Sequence, residues 1–291
     1  MLSLTSSDFK LIKRYKRVIP TSSNKLNEIL DGGLETGNLI VVQAPSGAGK
    51  STFLMRMCYE CLHQTECAFI SAGEQDLEEI VSRFAAIHAG IKWIEFRKLS
   101  FEEKEKYIND FNKEFEGRLH IYISEMPFDM NEKLVNDDII SYCDMDLIKE
   151  DIDNKAIKYV FFDYLNACIA HDANSTHYYY TQIASDLKLW ANNKSIMIMT
   201  AMQTNRTLKG YLSSKEFDPH CVDEFFMGES VGPARKATIC LSLFKKGEKT
   251  YLNVFKNRPT GKLNAWEITF SDNYRIIDSS VDEDDWRMSL K

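Results

Sequence analysis

A chain of 291 residues allows one large domain or two small ones, and its 44% hydrophobic content is ample for a buried core. The formal net charge of −7 argues against a protein that coats nucleic acid generally, although a local nucleic-acid channel is compatible with it. No apolar stretch approaches the roughly 20 residues that span a membrane, and the N-terminus lacks a signal-peptide pattern. The seven cysteines, an odd number, fit a reducing compartment, so we expect a soluble cytoplasmic protein.

The first predicted elements lead into a loop of small residues. Residues 9–19 are basic and amphipathic and end before a proline, which predicts an arm that either caps the main domain or contacts a neighbouring subunit. A short helix over 26–30 and a turn precede an apolar strand over 39–42. Residues 44–52 read Ala-Pro-Ser-Gly-Ala-Gly-Lys-Ser-Thr, and a helix is predicted over 53–62. This order of strand, loop and helix indicates a nucleoside-triphosphate site.

The chemistry of such a site explains these residue types. Small residues let backbone N–H groups approach the phosphates, and the N-terminus of the following helix adds a favourable dipole. The ammonium of Lys50 can reach the β- and γ-phosphates, and the hydroxyl of Ser51 can ligate Mg²⁺. Ala44 stands where the first glycine of this motif is usual, but the six-residue spacing to Lys50 is kept. The predicted ligands of ATP are Ser46, Gly47, Ala48, Gly49, Lys50, Ser51 and Thr52.

The remaining elements predict an α/β fold with a mainly parallel, doubly covered sheet. Strands are predicted over 67–71, 119–123, 159–162 and 195–199, helices over 77–89 and near 101–115, and three further strands over 239–243, 251–255 and 266–270. Continuous apolar strands that alternate with helices favour a parallel sheet covered on both faces, and the last three strands add an antiparallel part. We predict an N-terminal arm at 1–19, one domain over 20–278 and a flexible acidic tail at 279–291.

Two features allow a functional and a purely structural interpretation. Cys58 and Cys61 form a Cys-x-x-Cys pair without a second pair at zinc-ligand spacing, so core-facing thiols are favoured over a metal or redox site. The tail carries Asp-Glu-Asp-Asp at 282–285 before Trp286, which suits either a solubilising end or a peptide that binds a partner.

Acidic residues follow two of the predicted strands. Asp163 comes directly after the strand over 159–162, where a carboxylate beside the phosphate loop can hold Mg²⁺ through water. Glu74 follows an earlier strand, where a carboxylate can orient the water that attacks the γ-phosphate. Asp76 and Glu79 lie close to Glu74 in the sequence and are alternatives for this catalytic base.

Polar and basic residues follow two other strands. Gln203 comes after the fifth predicted strand, from which its amide can touch the γ-phosphate and report hydrolysis to the next loop, or can simply be solvated. Lys256 and Arg258 follow the strand over 251–255. Arg258 could complete its own subunit's site, reach a neighbour's γ-phosphate as an arginine finger, or be a solvated charge.

These pieces, in this order, resemble the hexameric replicative DNA helicases of the DnaB type, which are built on the RecA-like P-loop NTPase fold, and most closely the versions carried by bacteriophages. The Asp-Tyr-Leu at 163–165 and the Gln-x-Asn-Arg at 203–206 are the more specific matches. The other matching stretches are the phosphate loop and residues 19–21, 33–39, 69–74, 118–123, 229–234 and 256–261.

The resemblance implies a role for each residue at a strand end. Glu74 is implied to be the catalytic base, Asp163 the acid on the metal side and Gln203 the γ-phosphate sensor. Lys256 and Arg258 are implied to enter the next subunit's site. The residues before the Pro-Thr-Gly at 259–261 are fewer than in the family, so the reach of Arg258 needs structural information.

The resemblance also implies a further nucleotide contact and a DNA-binding loop. Arg83 matches a family arginine near the nucleotide, with a surface arginine as the alternative. The loop of Gly228, Glu229, Ser230, Val231 and Gly232 matches the loop that follows the DNA backbone in the central channel. It lacks a basic side chain where many relatives have one, so backbone N–H groups, or Arg235 and Lys236 nearby, are expected to contact DNA.

The function implied by the resemblance is that of an ATP- and Mg²⁺-dependent 5′→3′ DNA helicase, or single-stranded DNA translocase, which acts as a ring, expected to be a hexamer. Possible partners are a primase, a polymerase or a helicase loader. Only about 20 residues precede the predicted ATPase domain, too few for the primase-binding domain of bacterial members. The alternatives are a recombinase-like or KaiC-like signalling ATPase of the same fold, and a nucleotide-gated adaptor that recruits a partner through its tail.

Overall fold

The computed structural model describes residues 16–72, 75–124, 145–163, 176–228 and 230–279. The strands are Val18–Ile19 (β1), Leu34–Glu35 (β2), Leu39–Ala44 (β3), Cys67–Ala72 (β4), Leu119–Ser124 (β5), Tyr159–Asp163 (β6), Met197–Gln203 (β7), Ile239–Lys246 (β8), Lys249–Asn257 (β9), Asn264–Phe270 (β10) and Ile276–Asp278 (β11). The α-helices are Asn24–Ile29 (α1), Lys50–Leu62 (α2), Leu77–Ala89 (α3), Trp93–Phe96 (α4), Phe101–Phe115 (α5), Met145–Asn154 (α6), Thr176–Lys194 (α7), Thr207–Leu212 (α8) and Gly232–Lys236 (α9).

Nine of these strands form one sheet in the order β11-β10-β9-β8-β3-β7-β6-β4-β5. The neighbours from β8 to β5 pair in parallel, whereas β8, β9, β10 and β11 pair antiparallel. This arrangement confirms the predicted α/β fold with a mainly parallel sheet and an added antiparallel part. Because β3 lies inside the parallel region, between β7 and β8, the loop that follows it emerges at the carboxyl edge of the sheet.

The core lies on both faces of this sheet. Alternate side chains of a strand point to opposite faces, and in β3 Ile40 and Val42 join one hydrophobic cluster while Leu39 and Val41 join the other. Helices α2, α3 and α5 cover the first face, and α6 and α7 cover the second. All six residues of β3 are buried, as its continuous apolar run requires.

Helix α7 is the largest element that the sequence analysis did not predict. Apart from Trp190, its buried residues follow the helical spacing i, i+3, i+4, i+7 and i+11. They are Tyr180, Ile183, Ala184, Leu187 and Ala191. Two of these five are alanines and the intervening positions are mainly polar, so the apolar stripe is less evident than in the strands. Helix α6, also unpredicted, packs on the same face of the sheet.

Several element boundaries differ from the sequence prediction. Strand β7 begins at Met197 rather than at Ser195, because Ser195 has a φ of 52° and turns the chain into the strand. The same strand includes Gln203, which the prediction placed beyond its end. The helix after the phosphate loop begins at Lys50, three residues earlier than predicted.

The chain joins the packed structure before the predicted boundary at residue 20. Val18 and Ile19 pair antiparallel with β2, and Ile19 is wholly buried. The predicted arm up to residue 15 and the tail beyond residue 279 lie outside the described residues. Within the described part of the chain, no helix is both long enough and apolar enough to span a membrane.

The Cys-x-x-Cys pair lies in helix α2 and faces the core. Cys58, Cys61 and the nearby Cys67 are wholly buried free thiols, and burial raises the pKa of each. Neutral buried thiols behave as small apolar side chains rather than as metal ligands. Among the residues that the structure describes, no group of three or more His, Cys, Asp or Glu is placed to hold a metal ion. The burial of Cys58 and Cys61 confirms that these thiols face the core.

Candidate active site

The phosphate loop lies between β3 and α2 and turns through two left-handed glycines. Gly47 has a φ of 75° and Gly49 a φ of 94°, values that residues with a Cβ adopt only with strain. Ala44 is the last residue of β3 and pairs in extended conformation with β7, which explains why alanine is tolerated where a glycine is usual. Helix α2 begins immediately after Gly49, and its first N–H groups have no partner within the helix. The loop therefore presents backbone donors and a helix dipole to an anion.

A cleft of about 590 Å³ opens over this loop. Six of the seven predicted ATP ligands line it, namely Ser46, Gly47, Gly49, Lys50, Ser51 and Thr52. The seventh, Ala48, is buried behind the loop. Gln203 and Arg83 line the same cleft from other elements.

Gln203 is brought to the cleft by the order of the strands. Strand β7 lies directly beside β3, and Gln203 is in register with Ala44, the residue before the phosphate loop. The side chain is partly exposed. The structure thus brings Gln203 together with Lys50, as a contact with the γ-phosphate would require, and does not place it in a solvated loop.

Arg83 lies on α3 and is held in place within the cleft. Its Nε and Nη2 donate to Glu79 Oε1 at 2.9 and 2.7 Å, and its guanidinium carbon lies 4.6 Å from the centre of the Trp93 ring. Asp76 caps the same helix, because its Oδ1 accepts from the N–H of Glu79 at 2.7 Å. Asp76 and Glu79 therefore have structural partners, which disfavours both as the catalytic base. Glu74, the predicted base, lies outside the described residues.

Asp163 ends strand β6, which is separated from β3 by β7. Its side chain is buried, and it is in register with Ser71 of β4. Asp163 and Ser51 supply carboxylate and hydroxyl oxygens, the donors that Mg²⁺ prefers when it is held by few protein ligands together with substrate phosphates. The residue types at the end of β6 and at the start of α2 therefore fit the predicted metal role.

Lys256 and Arg258 lie towards the edge of the sheet that the amino ends of the parallel strands form, whereas the phosphate loop lies at their carboxyl ends. The N–H of Arg258 donates to Thr238 O at 3.0 Å, and the N–H of Thr238 donates to Leu39 O at 2.8 Å. Leu39 begins β3, so Arg258 lies at the amino edge of that strand. The five residues from there to Ala44 span roughly 17 Å at about 3.3 Å each. The geometry therefore separates Arg258 from its own subunit's nucleotide cleft.

Both cations are directed to the C-terminal end of α9. Lys256 Nζ donates to Ala234 O and, at 3.2 Å, to Arg235 O. Arg258 Nη2 donates to Arg235 O at 2.8 Å, and its side chain is otherwise exposed. Cations at a helix C-terminus satisfy its last carbonyl groups. Burial lowers the pKa of Lys256, and the nearby Arg258 adds to that lowering.

The predicted DNA-contacting loop begins beside the carboxyl end of β7. The N–H of Gly228 donates to Gln203 O at 2.8 Å, and Gly228, Ser230 and Gly232 are all buried. Val231 is partly exposed, and Arg235 and Lys236 on α9 are exposed. Glu229 lies outside the described residues. Exposed charge in the described part of this segment is therefore supplied by Arg235 and Lys236, rather than by the loop itself.

Two polar residues to which the sequence analysis gave no role connect residues 223–226, just before this loop, to strand β3 and to the end of β7. Asn205 Nδ2 donates to Phe225 O at 2.7 Å, and the N–H of Asn205 donates to Phe226 O at 2.8 Å. Gln43, which is wholly buried in β3, donates through Nε2 to Asp223 O at 2.7 Å. Asn205 belongs to the Gln-x-Asn-Arg motif, and Gln43 is a polar residue at the end of an apolar run. Both signals could therefore have been found in the sequence.

Comparisons with known proteins agree with this geometry. The sequence model of one family, the DnaB-like helicase C-terminal domain, matches residues 18–219, more than half of the chain. The structure is similar to that of a DnaB-like replicative helicase described with its interactions with primase, with a TM-score of 0.71 and 15% identity over 96% of this chain and 68% of that one. It is also similar to a second solved structure, that of an ATPase domain, with a TM-score of 0.69 and 15% identity over 94% of this chain and 96% of that one. No curated protein matches the chain.

Proposed function

Since this chain belongs to the family of DnaB-like helicase C-terminal domains, we propose that it is a 5′→3′ translocase that hydrolyses ATP between the subunits of a ring and moves along single-stranded DNA. The ring is proposed to be a hexamer. The likeness to the two solved structures, at 15% identity, supports the RecA-like ATPase fold.

One observation carries the proposal most directly. The phosphate loop lies at the carboxyl edge of β3, whereas Arg258 lies at its amino edge. An arginine on the far edge cannot complete the site of its own subunit, but it can complete the site of a neighbour that packs against that edge. Arginine fingers supplied in this way contribute a factor of about 10³ to 10⁵ to phosphoryl transfer. A phosphate loop and an arginine at opposite edges of one subunit are therefore what a ring with shared sites requires.

The predicted site residues have separate tasks in this mechanism. Lys50 and the backbone of the phosphate loop bind the β- and γ-phosphates, and Ser51 and Asp163 hold the metal ion. ATP supplies the phosphoanhydride bond, and Mg²⁺ supplies charge that neutralises its oxygens. Glu74 orients the attacking water, as predicted from the sequence. Arg258 of the adjacent subunit stabilises the charge that develops on the γ-phosphate.

The contact between Gln203 and Gly228 supports a connection from hydrolysis to DNA movement. The side chain of Gln203 lines the cleft, while its main-chain carbonyl oxygen accepts a hydrogen bond from the N–H of Gly228, the first residue of the DNA-contacting loop. A shift of Gln203 on loss of the γ-phosphate would move that loop. The exposed Arg235 and Lys236 contact DNA phosphates, which gives binding without sequence preference. The N–H groups of Gly228, Ser230 and Gly232 do not take part, because each of them donates within the subunit.

The decisive measurement is the ATP hydrolysis rate with and without single-stranded DNA, together with the mass by light scattering. We expect oligomers and a steep rise in the rate on addition of DNA. Arg258→Ala should bind ATP normally but lose hydrolysis by about 10³-fold. A monomer under all conditions, or equal rates with and without DNA, would contradict the proposal and favour a KaiC-like signalling ATPase. Loss of ATP binding in Arg258→Ala would place that residue in its own subunit's site.

A further inference from the structure

Lys188 lies on helix α7 at the amino edge of the sheet, in the same region as Arg258. Its Nζ donates to Thr238 Oγ1 at 2.7 Å and to Gly37 O at 3.2 Å. The side chain is half-buried beside a cavity of about 480 Å³ that Lys16 and Asn38 also line. Lys188 belongs to none of the sequence motifs described above, and a lysine on an amphipathic helix usually faces solvent.

Thr238 is the point at which three parts of the fold meet. Its Oγ1 accepts from Lys188 and also from the N–H of Leu39, at 3.2 Å, at the start of β3. Its carbonyl oxygen accepts from the N–H of Arg258 at 3.0 Å. Lys188 therefore fixes the side chain of the residue that holds the main chain of Arg258.

Stability alone does not explain a lysine at this position. Burial lowers the pKa of Lys188, and the positive charges of Arg258 and Lys16 lower it further. A partly buried ammonium beside other cations carries a desolvation cost and a repulsion that its two acceptors must offset. An apolar side chain of similar length would fill the same space without either cost. The charge and its two directed hydrogen bonds point to a positional role.

We propose that Lys188 is a positioning residue for Arg258: through Thr238 it fixes the amino edge of β3 so that Arg258 enters the adjacent subunit's site in the correct place. This inference rests on the proposed function, because it gives Lys188 a task only if Arg258 acts on a neighbour. Lys188 does not itself contact nucleotide in this arrangement, since its Nζ is engaged with two acceptors of its own subunit.

The first test compares Lys188→Met with Lys194→Met. Lys194 lies on the same helix, but its Nζ pairs with Asp153 at 2.9 Å at the surface, so it is a matched control. A displacement of about 1 Å of a catalytic group costs up to about 10²-fold in rate. We therefore expect kcat of Lys188→Met to fall by about 10- to 100-fold with little change in the Kd for ATP, and Lys194→Met to behave as wild type. Lys188→Arg, which keeps the charge and can donate to both acceptors, should recover part of the rate.

The second test distinguishes misplacement of Arg258 from general damage to the subunit. Lys50→Ala subunits cannot use their own cleft but carry an intact Arg258. Mixed with Arg258→Ala subunits, they should restore hydrolysis, because one partner supplies the cleft and the other the arginine. Lys188→Met subunits should be rescued in the same way, since their own cleft is intact. Light scattering on each mixture verifies that mixed oligomers form.

Each outcome of the mixing experiment has a distinct meaning. If Lys50→Ala restores Arg258→Ala but not Lys188→Met, the defect lies elsewhere and the proposal for Lys188 is wrong. If Arg258→Ala is not restored, the shared site itself is wrong, and the role of Lys188 is rejected with it. Thr238→Val, which keeps the branched shape but removes the acceptor of both Lys188 and the N–H of Leu39, provides a second variant in case Lys188→Met unfolds. A wild-type rate in Thr238→Val would also contradict the proposal.

Discussion

Replacement of Gly228 by alanine tests whether the nucleotide cleft and the DNA-contacting loop communicate through the main chain. Gly228 is buried against the end of β7, and a Cβ at this position would lie 2.7 Å from Gln203 O and 3.3 Å from Gln203 C. The neighbouring atoms are backbone, so they cannot move aside as a flexible side chain would. The substitution therefore has to push the loop away from Gln203.

The size of the effect follows from these distances. Movement to an ordinary contact of about 3.4 Å requires a shift of about 0.7 Å. The bond between Gly228 N and Gln203 O, now 2.8 Å long, would reach the limit of a hydrogen bond. Loss of such a bond costs about 1 kcal/mol, and overpacking costs about 1–3 kcal/mol. Since about 1.4 kcal/mol corresponds to a factor of ten, we expect the stimulation of ATP hydrolysis by DNA to fall about tenfold or more.

The assay measures hydrolysis with and without single-stranded DNA in Gly228→Ala and in Gly210→Ala. Gly210 lies in helix α8, is exposed, and a Cβ there would meet nothing within 4 Å, so it is the matched control. ATP affinity and the rate without DNA should be close to wild type in both variants, because Gly228 does not line the cleft. Full stimulation in Gly228→Ala would refute the reasoning. A parallel loss of ATP binding would show damage to the fold rather than to the connection.

Two further predictions concern the thiols and the cleft. Iodoacetamide at about pH 8 should label the exposed Cys221 rapidly, and the buried Cys58, Cys61, Cys67 and Cys240 at least about 10²-fold more slowly. The reason is that burial raises the pKa of each of these four thiols, to about 12 for Cys240. Peptide mass spectrometry identifies the labelled sites, and early labelling of Cys58 would contradict the packing of α2. Binding of ATP should displace Arg83 from the ring of Trp93 and thereby change the tryptophan fluorescence. Trp93→Phe should abolish that change, whereas Trp266→Phe should not. An unaltered fluorescence response in Trp93→Phe would contradict this role of Arg83.

The phosphate loop and the strands could be predicted from the sequence because local physics determines them. Two glycines at fixed spacing allow the left-handed turn at Gly47 and Gly49, and the uninterrupted apolar run of β3 requires burial on both faces. The order of strands then brings Gln203 to the cleft without further assumptions. The prediction that Gln203 lies near the phosphate loop therefore had a geometric basis, because parallel strands end at the same edge of a sheet.

The position of Arg258 could not be predicted in this way. Whether a residue after an added strand returns to its own cleft depends on the direction in which that strand pairs, and β9 pairs antiparallel with β8. Lys188 and Thr238 are fifty residues apart and meet only because α7 returns to the amino edge of the sheet. Such long-range pairs leave no periodic signal in the chain. The close approach of Gly228 to Gln203 is equally hidden, since any loop can contain a glycine.

Helix α7 offers a physical link between the two interfaces of a subunit in the proposed ring. A Cβ on Gly232 would overlap Thr181 of this helix, and Lys188 of the same helix holds Thr238. Thr181 and Lys188 are seven residues apart, so they lie on one face of α7 and about 10 Å apart along its axis.

Gly228 contacts Gln203, the predicted sensor of one ATP, and Thr238 holds Arg258, the group that we propose acts on the next ATP. Between these two contacts, the described residues 230–236 form a segment that includes α9 and packs against α7. A closely packed segment transmits a displacement because neither the segment nor the helix can deform without opening voids. A change at one nucleotide site would therefore alter the arginine presented to the adjacent site through this one short segment, and sequential hydrolysis around a ring would require no longer path.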